Sequence, residues 1–165
     1  MKKTENIFRF NGEEDREPLH YIECGLDDIY LCSGYTTEKT PHGEGVSIKK
    51  LDELHKAIGL HLTTQKKALS GKELRFLRKQ MDLTQSELGK IVGLSSQQVA
   101  RWEKGESDIS GPADALLRWL YIDHIDNKEI NIRELLKNLD EVDSPINEKY
   151  FFEPTARGWR AKKAA

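Results

Sequence analysis

Gln97, Arg101 and Lys104 follow one another at steps of four and three residues within the stretch SSQQVARWEKG (95–105). On a helix such steps align side chains along one ridge. That ridge offers hydrogen bonding to the edges of bases. A Gln amide pairs bidentately with adenine N6 and N7, an Arg guanidinium with guanine O6 and N7, and a Lys supplies a point charge for phosphate. With Val99 as reference and about 100° per residue, Trp102 lies about 60° away, whereas the three polar residues lie about 140–200° away. Val99 and Trp102 therefore define a buried side, Gln97, Arg101 and Lys104 an outward one, and Ala100 keeps the ridge low.

A ridge needs elements to hold it, and the flanking sequence is densely punctuated for helices. SGKE (70–73), TQSE (84–87) and SSQQ (95–98) each place a Ser or Thr three residues before a Glu or Gln, the capping-box pattern. Each precedes apolar residues at helical spacing: Leu74, Leu77 and Met81; then Leu88, Ile91 and Val92; then Val99 and Trp102. Between the second and third predicted helices lies only Val92-Gly93-Leu94-Ser95. A turn this short makes two helices cross steeply, the geometry of a helix-turn-helix. Gly89 lacks a side chain where the third helix would cross the second. Pro112 suits the start of a fourth helix, about 112–125, with Leu116, Leu117, Leu120 and Tyr121 towards the core and Trp119 and Ile122 on another, interface-forming face. Asn131 and Glu134 open a fifth, with Leu135, Leu136 and Leu139 inward.

The rest of the chain divides by composition. Residues 1–47 form a β-containing segment, in which LHYIE (19–23) and DIYLC (28–32) read as a hairpin and TTEKTPHGEG (36–45) as a loop. Residues 48–68 form a linker helix, on which Leu51, Leu54, Ile58 and Leu62 recur at helical spacing. Residues 69–143 form the helical domain, and 144–165 a C-terminal extension, with Tyr150 and Phe152 at period two suggesting a strand or hairpin before a basic tail. The expected class is α+β: a small β segment, a linker helix, a five-helix domain and a short β extension.

The formal net charge of −2 conceals an asymmetry. Residues 1–47 carry 5 Lys/Arg against 10 Asp/Glu, residues 65–104 carry 9 against 4, and residues 105–165 carry 9 against 12. The one strongly basic block ends at the ridge, the electrostatic footprint of a phosphate-binding surface. No apolar run approaches the length that spans a bilayer and the amino end lacks a signal-like stretch, so a cytoplasmic protein without membrane contact is expected. Cys24 and Cys32 are too few for a disulfide framework. They lack the four-thiolate pattern of a structural zinc site. His20, His42, His55 and His61 could complete one on paper, but ordinary core or surface roles are the expectation, and neither metal nor cofactor is expected. Nothing places a nucleophile beside a base, and GEG (43–45) is an isolated fragment, so catalysis is not expected.

The stretch LRKQMDLTQSELGKIVGLSSQQVARWEKGE (77–106) resembles the Xre family of helix-turn-helix regulators, which includes the phage repressors. The likeness covers roughly 70–125 and implies a lambda-repressor-like domain at 69–143. It implies that Gln85 bonds a phosphate and that Ser96, Gln97 and Arg101 face bases, with Ser95 and Lys104 towards phosphates. Arg78 and Glu103 match a pair that forms a salt bridge in this family, a structural tie between the first and third helices. The implied partner is a double-stranded operator, palindromic because such domains bind as homodimers at two half-sites. A β-containing amino segment, a linker helix and this domain together resemble MqsA-type antitoxins, whose amino-terminal domain holds zinc through cysteine pairs and neutralises a toxin. Here Cys24 and Cys32 stand eight apart with no CxxC. The functional expectation is a transcriptional regulator, an autorepressor acting as the antitoxin of a toxin–antitoxin pair. The alternative is a stand-alone repressor whose amino-terminal segment senses a ligand or binds a non-toxin partner.

Overall fold

A computed structural model describes residues 17–125 and 149–162, and its class is α+β. The chain forms β1 (Leu19–His20), β2 (Ile29–Leu31), β3 (Tyr35–Thr40), β4 (Gly43–Ile48), α1 (Leu51–Gln65), α2 (Gly71–Gln80), α3 (Gln85–Val92), α4 (Ser96–Glu103), α5 (Gly111–His124), β5 (Tyr150–Thr155) and β6 (Gly158–Lys162). The helix expected to open at Asn131 lies outside the described residues.

The main sheet runs β1-β2-β5-β6, with β2 and β5 parallel and the outer pairs antiparallel. In register, Ile29 faces Tyr150 and Leu31 faces Phe152. Parallel strands need a long crossover. Here the crossover is the entire helical block, so the amino-terminal strands and the carboxy-terminal extension become one sheet. The β1–β2 hairpin and the β5–β6 strands agree with the sequence reading. The stretch 36–45 does not: it forms most of a second hairpin, β3–β4, turning at Pro41-His42. Nearly all of its residues are exposed, so no apolar alternation marked it. Its β-branched residues Thr36, Thr37 and Val46 suit strands regardless.

The α1 helix is the spine, touching β5 and β6 on one side and α2 and α5 on the other. Leu54, Ile58 and Leu62 are buried as their spacing requires, while Leu51, in the first turn, is exposed. Glu73 does double duty at the α1–α2 junction. It completes the Ser70 capping box by accepting from the Ser70 amide at 2.7 Å, and its other oxygen takes Lys66 Nζ at 2.5 Å. On α5 the buried arc is Ala113, Leu117, Arg118, Tyr121 and Ile122. Trp119 is exposed as expected, but Ile122 is buried, because the charge of Arg118 misplaces the arc when the helix is read from hydropathy.

His61 sits on α1 against the sheet, its ring 4.5 Å from that of Tyr150 and edge-on to Phe152 at 5.8 Å. Burial pushes its imidazole down to about 4, with Glu73 opposing and Lys66 adding to the shift. The unfolded imidazole takes a proton near 6.5 and the folded one does not until about 4. Protons in that interval therefore favour the unfolded chain. Stability is present above about pH 6.5 and is expected to fall by on the order of 3 kcal/mol as pH drops to about 4. Urea midpoints measured across this window check it. His61→Leu should flatten the decline, and an unchanged slope would count against the assignment.

Candidate nucleic-acid interface

The α3–turn–α4 unit is built by its own backbone. Thr84 Oγ1 accepts from the Glu87 amide at 3.1 Å, and Glu87 Oε2 accepts from the Thr84 amide at 2.7 Å. Gly93 ends α3 in the left-handed region at φ 73°, which a glycine adopts without a Cβ penalty. The Leu94 amide then returns to the Gly89 carbonyl at 2.8 Å. A Cβ on Gly89 would stand 2.7 Å from the Leu94 carbonyl oxygen, so glycine permits the close approach of the turn. With that approach the buried residues of α3 are Leu88 and Gly89, and Val92 is half-buried beside them. Ile91, expected inward, is exposed. Ser95 starts α4 by accepting from the Gln98 amide at 3.2 Å. The Gln98 side chain does not reach back, however. It donates to Ser107 Oγ at 2.9 Å, so this capping box is half made.

Val99 and Trp102 are almost fully buried and fix α4 to the body. Gly71, at the start of α2, lies so close that a Cβ there would sit 2.0 Å from the Trp102 carbonyl oxygen. Polar contacts then set the roll of the helix. Arg78 Nε donates to Glu103 Oε1 at 2.5 Å and Nη2 to Oε2 at 3.1 Å, while Nη1 donates to the Leu83 carbonyl at 2.7 Å. Gln85 Nε2 adds a bond to Glu103 Oε2 at 2.9 Å. Burial raises the Glu103 carboxyl, but hydrogen bonds from Arg78 and Gln85, with the charges of Arg78 and Arg75, outweigh it and hold it below the usual range.

Fastened this way, α4 turns its other side outward. Ser95, Ser96, Gln97, Arg101 and Lys104 are all exposed. A shallow depression of about 360 Å³ is lined by Ser95, Gln97, Gln98, Ala100, Arg101 and Lys104. The geometry thus separates two groups of sequence-chosen residues. Gln97, Arg101 and Lys104 share the outer face. Gln85, expected at phosphate, is half-buried and has its amide NH2 on Glu103. Sequence reading passed over Glu106, whose carboxylate oxygens lie 3.9 Å from both Arg101 Nε and Lys104 Nζ. The cue for it is Gly105, which ends α4 at φ 71° and places the next residue.

Among the described residues no three His, Cys, Asp or Glu side chains converge as a metal site would require, and no helix is long and apolar enough to cross a membrane. Residues 74–112 match the family model described as helix-turn-helix, spanning most of α2, all of α3 and α4, and the first residues of α5. Comparison with curated proteins and with solved structures gave no significant match.

Proposed function

From the premise that the chain carries an Xre-family helix-turn-helix domain, and is a DNA-binding transcriptional regulator, we propose that α4 reads an operator through Ser96, Gln97 and Arg101. Gln85, Ser95 and Lys104 contact flanking phosphates, and two copies bind a palindromic site as a homodimer. The observation that carries this is the division of α4. One side is buried through Val99, Trp102 and Glu103, and the other presents Gln97, Arg101 and Lys104 together. A duplex enriched from a random pool by the protein provides the test. Gln97→Ala and Arg101→Ala should each weaken binding to it by about 5–150-fold, the equivalent of 1–3 kcal/mol. Melting temperature should stay near wild type, because both side chains are exposed. Wild-type affinity in both variants would overturn the assignment.

The regulatory context we propose is that of an autorepressing antitoxin. The acidic segment at 1–47, with 10 Asp/Glu against 5 Lys/Arg, suits a basic toxin as partner. Co-purification with the product of the adjacent reading frame, and rescue of growth when the two are co-expressed, test it. A second reading rests on a cavity of about 360 Å³ between the sheet and the helical block, bordered by Leu62, Lys66, Glu73, Glu103 and Tyr150. A small molecule there would make the protein a ligand-sensing repressor with no toxin. Operator affinity that shifts with a metabolite, without co-purification of a neighbour, favours that reading.

A further inference from the structure

Glu106 is not a loosely placed surface acid. It follows Gly105 in a complete helix-ending motif, in which the Gly105 amide bonds the Trp102 carbonyl at 3.0 Å and the Glu106 amide bonds the Arg101 carbonyl at 2.9 Å. The bond from Gln98 to Ser107 pins the chain just beyond it. The backbone of Glu106 is thus fixed one turn from Arg101, and its carboxylate lies within ion-pair range of Arg101 and Lys104. All three side chains are more than half exposed, and such pairs contribute little to folding. Their consequence falls on the surface that meets DNA.

Resting on the DNA-binding reading above, we infer that Glu106 is a specificity-determining residue, an internal competitor that Arg101 and Lys104 must leave before they can engage DNA. A phosphate contact made in water exchanges one anion for another and brings the Glu106 carboxylate towards a polyanion. A bidentate bond from Arg101 to guanine gives directional hydrogen bonds that the competitor, at 3.9 Å, does not match. Glu106 therefore disfavours backbone-only complexes more than sequence-matched ones. It also withholds one cation from the electrostatic, salt-dependent part of binding.

The experiment compares wild type and Glu106→Gln on two duplexes of equal length, one enriched from a random pool by the wild-type protein and one scrambled. Glu106→Gln should bind the scrambled duplex about 3–10-fold more tightly while the enriched duplex changes less, with the salt slope on the scrambled duplex steepening by about 1. In an Arg101→Ala background the gain should shrink by at least half. Equal affinities and slopes for Glu106→Gln and wild type overturn the inference, as does an equal gain on both duplexes or a gain undiminished without Arg101. An enriched duplex lost by Arg101→Ala, together with a scrambled duplex indifferent to Glu106→Gln, sinks this inference alone. If the wild-type protein enriches no duplex, the DNA-binding reading fails and this one with it.

Discussion

Replacing Arg118 by methionine is expected to destabilise the protein by about 4–5 kcal/mol, lowering the melting temperature by roughly 10–20 °C. The Arg118 side chain has no solvent exposure, and its guanidinium closes the end of α1. Nη1 donates to the carbonyls of Leu62 at 3.2 Å and Thr63 at 2.9 Å, and Nη2 to that of Lys67 at 3.4 Å. These carbonyls belong to the last turn of the helix and the residues after it, where no intrahelical donor remains. Asp114, one turn earlier on α5, balances the charge and also accepts from the Leu69 amide at 2.8 Å. Methionine fills most of the volume but leaves the half-buried Asp114 carboxylate and the buried Leu62 and Thr63 carbonyls without their donor. Because Arg118 joins α5 to α1, the loss should fall first on the seam between the helical block and the sheet. Hydrogen exchange should show α1 losing more protection than α3 and α4. A urea midpoint near wild type would refute this account. Adding Asp114→Leu to Arg118→Met should recover part of the loss, since removing both charges relieves the orphaned one.

Glu103→Ala is expected to cost about 3–4 kcal/mol and, unlike Arg118→Met, to weaken DNA binding beyond what unfolding explains. Its side chain is only 5% exposed and carries the Arg78 fork together with the Gln85 amide. Removing the carboxylate strands the Arg78 guanidinium, itself 11% exposed, and frees the roll of α4 about Val99 and Trp102. Gln97 and Arg101 then no longer project at a fixed angle. Because the carboxyl is held below its usual range, its contribution is present at neutral pH and is lost as pH falls through that lowered value. Calorimetry and duplex binding, measured below the melting temperature of the variant, check both parts. Unchanged melting would remove the tie from the argument.

The helical half of the fold is legible in sequence because its signals are local. Ser70 with Glu73, and Thr84 with Glu87, are three residues apart, and both boxes are made. Gly93 and Ser95 specify the turn within a few residues. Where a long-range partner intervenes, the local signal gives way. Gln98, spaced to complete a third box, goes instead to Ser107. Ile91, apolar and in phase, is turned outward by the close approach at Gly89.

By itself the sequence determined that α4 would have a buried side and a polar side, since 3.6-residue periodicity and capping act over one or two turns. It also determined that the outer ridge would carry Gln97, Arg101 and Lys104. The tertiary structure decided which polar residues are spent inside the protein. Gln85 turns part of its side chain to Glu103, Glu106 comes to rest beside Arg101, and Arg118 is buried on carbonyls 55 and 56 residues earlier in the chain. It also decided that β2 pairs with β5 across the whole helical block. The physical reason is shared. A buried charge or a parallel strand is stable only with a specific distant partner, and one-dimensional spacing carries no record of who that partner is.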